Sequence, residues 1–142
     1  MRVLSVTAQK PCSTGSGVYL TEVVRSLAKM GVSQAVVAGV TREDRVDMPE
    51  GVTVYPVYFS SEKLPYPVVG MSDDMPYTST RYRDMTEEMA GQFKAAFLEV
   101  LDEAIEKENP DIILCHHLYY LTALIRAHYP AKKVYGFAII RI

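Results

Sequence analysis

Apolar positions along this chain follow two rhythms. Short, nearly continuous apolar runs occupy residues 2–7 (RVLSVT), 34–40 (QAVVAGV), 52–57 (VTVYPV), 111–115 (DIILC) and 132–138 (KKVYGFA), and an Ile-Ile-Arg-Ile tail extends the last run to residue 142. Runs of this length, rich in β-branched residues and without polar alternation, predict strands buried on both faces of a parallel sheet. Between them the spacing becomes helical. Leu20, Val23, Val24, Leu27 and Met30 recur on one stripe, with Ser16 placed to cap its start and Gly31 to close its end in the left-handed region. A longer stripe of Met89, Phe93, Phe97, Val100, Leu101, Ala104 and Ile105 follows a capping-box-like Asp84 and Glu87, leaves Glu99, Glu103, Lys107 and Glu108 to water, and stops at Asn109-Pro110. Leu121, Leu124 and Ile125 mark a third helix over residues 119–128. The alternation predicts an α/β fold: an open, doubly wound, Rossmann-like parallel sheet of about five strands between two helical layers. The second and third strands are joined by a stretch with no helical stripe.

Two segments break the rhythm. After the first strand, Pro11, Ser13, Thr14, Gly15, Ser16 and Gly17 form a turn that leads straight into the first helix. Strand, glycine turn and helix N-terminus in that order leave backbone N–H groups aimed outward, an arrangement suited to phosphate or diphosphate. The spacing matches neither the dinucleotide fingerprint nor the P-loop, and the same glycines also serve if they only permit the turn. The second segment, residues 58–83, carries three prolines, an Asp73-Asp74 pair and Tyr58, Tyr66, Tyr77 and Tyr82. A stretch of that length suits a binding or lid loop, and tyrosine rings with their hydroxyls suit sugars; the competing reading, slightly favoured by the residues, packs the tyrosines onto their own domain.

Composition narrows the field. At 142 residues, 49% hydrophobic and 23% charged, the chain suits one domain with a real core. A net charge of −2 with no Lys/Arg block gives no nucleic-acid footprint. No run approaches the ~20 apolar residues of a membrane span and the N-terminus lacks a signal-peptide pattern, so a cytoplasmic protein is expected. Cys12 and Cys115 read as thiols rather than a disulfide framework. His116 and His117 stand at the C-terminal end of the fourth long strand, where open parallel sheets bind ligands. Being adjacent on extended chain they point to opposite sides and do not readily serve one metal ion, so no metal is expected.

The opening strand with Gly15-Ser16-Gly17-Val18-Tyr19-Leu20, the long tyrosine loop, and Asn109-Pro110-Asp111-Ile112-Ile113-Leu114-Cys115-His116-His117 together resemble the N-terminal domain of a GT-B glycosyltransferase, in the large retaining family that includes sucrose synthases and mannosyltransferases. The resemblance implies sugar transfer from a nucleoside-diphosphate donor to an acceptor held largely by this domain, with no obligatory metal or other cofactor. It implies that Gly15, Ser16 and Gly17 face the donor diphosphate, that His116 is the catalytic-site histidine approaching the transferred sugar, and that His117 and the loop tyrosines Tyr66 and Tyr77 bind substrate. The chain departs from the family in its Gly-Ser-Gly turn, in Leu114 where an earlier histidine is common, and in its final residues. Residues 1–142 then form one acceptor-side domain lacking the donor-binding half, a truncated chain inactive alone, or one that self-associates through its C-terminal edge strand. The rival expectation, from another class, is a non-catalytic Rossmann-like domain binding a phosphorylated small molecule or a protein partner.

Overall fold

The computed structural model describes residues 1–138. Five parallel strands, β1 (Arg2–Thr7), β2 (Ser33–Val40), β3 (Thr53–Tyr58), β6 (Ile112–His116) and β7 (Lys133–Phe137), form one sheet in the order β3-β2-β1-β6-β7. Two further strands of two residues each, β4 (Val69–Gly70) and β5 (Thr80–Arg81), pair apart from it. The described residues also form three α-helices, α1 (Gly15–Lys29), α2 (Glu87–Glu108) and α3 (Tyr120–His128), and a short 3₁₀ turn (Tyr82–Asp84). Strand alternation divides the core in two. Leu4 and Val6 of β1, Ala35 and Val37 of β2 and Ile113 of β6 pack with Phe93, Phe97 and Leu101 of α2 and Leu121 and Ile125 of α3. Val36, Ala38 and Val40 of β2 turn the other way, onto Leu20 and Val24 of α1. This is the three-layer, Rossmann-like arrangement that the apolar rhythm predicts. Each fully buried large apolar side chain contributes about 1.5–3 kcal/mol. No helix among the described residues is long and apolar enough to cross a membrane.

The connection from β2 to β3 has no helix, as expected. Its Val46, Met48 and Val52 pack beside α1 and cover the part of the sheet face that a second helix would otherwise take. From β3 at one edge, the chain crosses by way of α2 to β6, which lies against β1, with Val6 beside Cys115 and Val3 beside Ile112. Successive strands thus leave β1 in opposite directions, and the C-terminal ends of β1 and β6 flank the point where strand order reverses.

Several boundaries differ from expectation for local reasons. The cap of α1 is Thr14, whose Oγ1 accepts from the Gly17 N–H at 3.1 Å, rather than Ser16, whose hydroxyl lies 3.0 Å from that of Thr14. Such a cap is worth about 1 kcal/mol. Gly31 closes the helix with φ +76°, as predicted. Asp84 does not open α2: its carboxylate is taken by Arg81 Nε at 2.6 Å within a short 3₁₀ turn, and Thr86 caps the helix instead. At the far end Asn109 is left-handed before Pro110, but Glu108 is not a wet residue, since it accepts from the Tyr55 hydroxyl at 2.7 Å. Residues 58–83 are no open loop. Leu64, Tyr66, Val68 and Val69 are buried in the core shared with α2. Strand β7 forms the outer edge of the sheet, and the expected extension through residues 139–142 lies outside the described residues.

Candidate functional site

Thr14 satisfies one of the N–H groups at the start of α1, and its carbonyl accepts from Val18 at 2.8 Å. Gly15 and Ser16, in the first turn, have no carbonyl four residues back within the helix to receive their N–H groups. Both line a cavity of about 540 Å³. A Cβ added at Gly15 would meet nothing within 4 Å, so the chain is open there. Gly17 is different. It is buried, a Cβ on it would fall 2.7 Å from the Cys12 nitrogen and 3.0 Å from the Lys10 oxygen, and its N–H is already held by Thr14. Its lack of a side chain lets α1 pack on its own entry loop, so its expected place at a diphosphate is corrected to a packing role.

The opposite wall comes from β6. His116 is 6% exposed, with its ring edge-on to Phe137 at 4.6 Å and near Tyr19 at 6.3 Å. Neither ring nitrogen has a hydrogen-bond partner. Burial, reinforced by the neighbouring His117, pushes its pKa down to about 4, so the imidazole is neutral near pH 7. His117 adopts φ +81°, uncommon for any residue with a side chain, and is held there by its N–H donating to the Phe137 carbonyl at 2.8 Å and its own carbonyl accepting from the Thr122 hydroxyl. Burial lowers its pKa as well, and its Nε2 is unpaired. The opposition expected of adjacent residues on extended chain does not carry over, because His117 leaves the strand with φ +81° and both histidines line one hollow. His117 lines the cavity that Gly15 and Ser16 line, while His116 lies in a narrow hollow beside it, shared with His117, Gln9, Tyr82 and Tyr119. Glycine turn and histidines therefore belong to one crevice, at the sheet's switch point, with His117 the nearer of the two to the turn's cavity.

Of the loop tyrosines, Tyr66 and Tyr77 do not line it. Tyr66 is a core residue, packed edge-on against Phe59 with its hydroxyl donating to the Met89 carbonyl at 2.8 Å. Tyr77 donates to the Val69 carbonyl at 3.0 Å and carries the Lys10 ammonium 5.0 Å above its ring. Their expected contact with substrate is corrected: each ring is spent on packing and each hydroxyl on backbone. The loop does contribute Met71, Ser72, Asp74, Met75 and Pro76 as the cavity's third wall. Sequence reasoning missed Gln9, buried at the end of β1 and lining both the cavity and the hollow. Its position just past a central strand's C-terminal end was the available signal, the same one that marked His116. A stacked pair, Tyr82 on Tyr119 with centroids 5.3 Å apart and planes 10° from parallel, closes the hollow.

Among the described residues no Lys or Arg lines the cavity; Lys10, five residues before Gly15, pairs with Asp44 at 2.9 Å. Among the described residues, no three His, Cys, Asp or Glu side chains converge as a metal ion would need. Cys12 and Cys115 are free thiols, and burial pushes Cys115 up to about 11.

No protein-family model matches the chain, and no curated protein matches it. Among solved structures, a sucrose-phosphate synthase from Thermosynechococcus elongatus superposes with a TM-score of 0.61 at 9% identity, over 97% of this chain and 32% of that one. A UDP-galactose 4-epimerase aligns with a TM-score of 0.39 at 10% identity, over 82% of this chain and 37% of that one. The chain shares its fold with part of that synthase and spans about a third of its length.

Proposed function

We propose that this chain is the acceptor-side half of a glycosyltransferase of the retaining GT-B kind, working with a nucleoside-diphosphate sugar. The observation that supports this reading best is a pair of adjoining hollows at a strand-order reversal, one lined by the open first turn of α1 and His117, the other by His116 and His117, with Gln9 lining both. In this reading the amides of Gly15 and Ser16 receive the diphosphate and stabilise the charge that grows on it as the sugar departs. His116 and His117, both neutral near pH 7, hold sugar hydroxyls and orient the ring; neither carries the proton that a general acid would need. In this reading a second domain supplies further contacts to the nucleotide, and transfer needs both halves.

The test is a panel of nucleotide sugars offered to the complete polypeptide in which this domain occurs, following release of nucleoside diphosphate. Turnover with at least one donor is expected, falling about 100-fold or more in His117→Ala and His116→Ala. The reading fails if no donor turns over, or if turnover is indifferent to both histidines. Binding of a phosphorylated compound without transfer would favour the non-catalytic Rossmann-like module.

A further inference from the structure

Gln9 is 3% exposed, yet its Nε2 is buried without a hydrogen-bond partner. Its backbone is fixed, the N–H donating to Thr7 Oγ1 at 3.2 Å at the end of the central strand. Burying an amide donor with nothing to receive it is unfavourable, and folded chains rarely accept it away from sites where a ligand completes the bond. Among the described residues three other buried nitrogens are unpaired nearby, both of His116 and Nε2 of His117; both histidines line the narrow hollow with Gln9, and His117 and Gln9 also line the larger cavity. A neutral imidazole offers one donor and one acceptor, and the amide adds a donor. This mixed set, with Asp74 among the residues lining the cavity, is poorly suited to an anion, which favours donors or cations. It suits alcohol groups, which donate and accept at the same oxygen.

We propose that Gln9 is a specificity-determining residue, its side-chain amide donating from Nε2 to a hydroxyl oxygen of an uncharged, polyhydroxylated ring seated against His117. This rests on the glycosyl-transfer reading and divides the crevice within it: the strand ends take the neutral ring, and the first turn of α1 takes the anion.

The experiment uses the 142-residue chain, with Gln9→Leu and Gln9→Glu beside the wild type. Binding of free hexoses, of uridine, guanosine and adenosine diphosphates, and of their hexose conjugates is followed by ligand-observed NMR, and thermal unfolding is recorded without ligand. Expected is weakening of hexose and conjugate binding by about tenfold or more in both variants, with binding of the unconjugated diphosphates unchanged. Gln9→Leu should melt no lower than the wild type, because no protein partner is lost. A markedly lower melting point would make Gln9 structural, and equal weakening of diphosphate and conjugate, or none, would overturn the assignment. Hexose binding that depends on Gln9 without any diphosphate binding leaves this assignment standing, because the transfer reading is tested separately by donor turnover in the complete polypeptide. Diphosphate binding to which the hexose adds nothing dependent on Gln9, or absence of any hexose binding, overturns the assignment while leaving the transfer reading to the turnover test.

Discussion

His116 illustrates how a residue's surroundings decide what it can do. Its pKa falls from 6.5 to about 4 because its ring is enclosed by Tyr19 and Phe137 beside another imidazole. The unfolded chain keeps the ordinary value, so between pH 6.5 and about 4 the unfolded state binds more protons than the folded one. Stability therefore declines as pH falls through that window, by roughly 3 kcal/mol across the whole of it for this one group. His116→Phe keeps a ring of similar size against the same neighbours; its melting temperature should depend less steeply on pH between 7 and 4.5 than that of the wild type. His117, shifted in the same direction by burial, leaves a residual slope in the variant. An unchanged pH dependence would show that His116 is hydrated and ordinary. That a polar pair ends a buried strand is plain from the order Cys115-His116-His117. Which imidazole faces the cavity is not, because it depends on His117 adopting φ +81°, a choice made by the Phe137 carbonyl, twenty residues further along.

At the scale of elements, α1 rests on two glycines that look alike in the sequence and differ in the fold. Gly17→Ala would push a methyl group against fixed backbone at Cys12 and Lys10 and should cost 1–3 kcal/mol, about the usual overpacking penalty. Gly15→Ala meets empty space and should leave the melting temperature unchanged or slightly raised, while interfering with any anion that approaches the helix end closely. Thermal denaturation of the two variants separates these outcomes, and equal losses would refute the distinction. Strands and helices were legible wherever a continuous apolar run or a 3.6-residue stripe went unbroken. Residues 58–83 were not, and the reason lies in Leu64-Pro65-Tyr66-Pro67-Val68. The apolar residues alternate as a strand's would and enter the core, but the prolines between them have no N–H for a ladder, so the segment packs without becoming a sheet strand. Asp84 misled for a related reason: a carboxylate near a helix start caps it only when no guanidinium such as that of Arg81 claims it first.

For the molecule as a whole, strand order matters more than any single motif. Because β2 and β6 leave β1 on opposite sides, the loop holding Gln9 and Gly15 and the end of β6 holding His117 meet across a gap that no helix fills. The site's location at strand ends was readable from the order of elements, but its third wall was not, since residues 71–76 reach it through pairings remote in sequence. That wall is tied back by the Asp73 to Arg83 ion pair at 2.9 Å, both side chains largely in water, and by Lys10 above Tyr77. Water-facing ion pairs weaken as electrolyte concentration rises, so the wall should loosen in strong brine whatever occupies the crevice. An uncharged hexose should accordingly bind less well at 1 M sodium chloride than at 50 mM, and Arg83→Gln should flatten that response. Sensitivity to brine, taken alone, would then report a tether giving way rather than a phosphate being recognised.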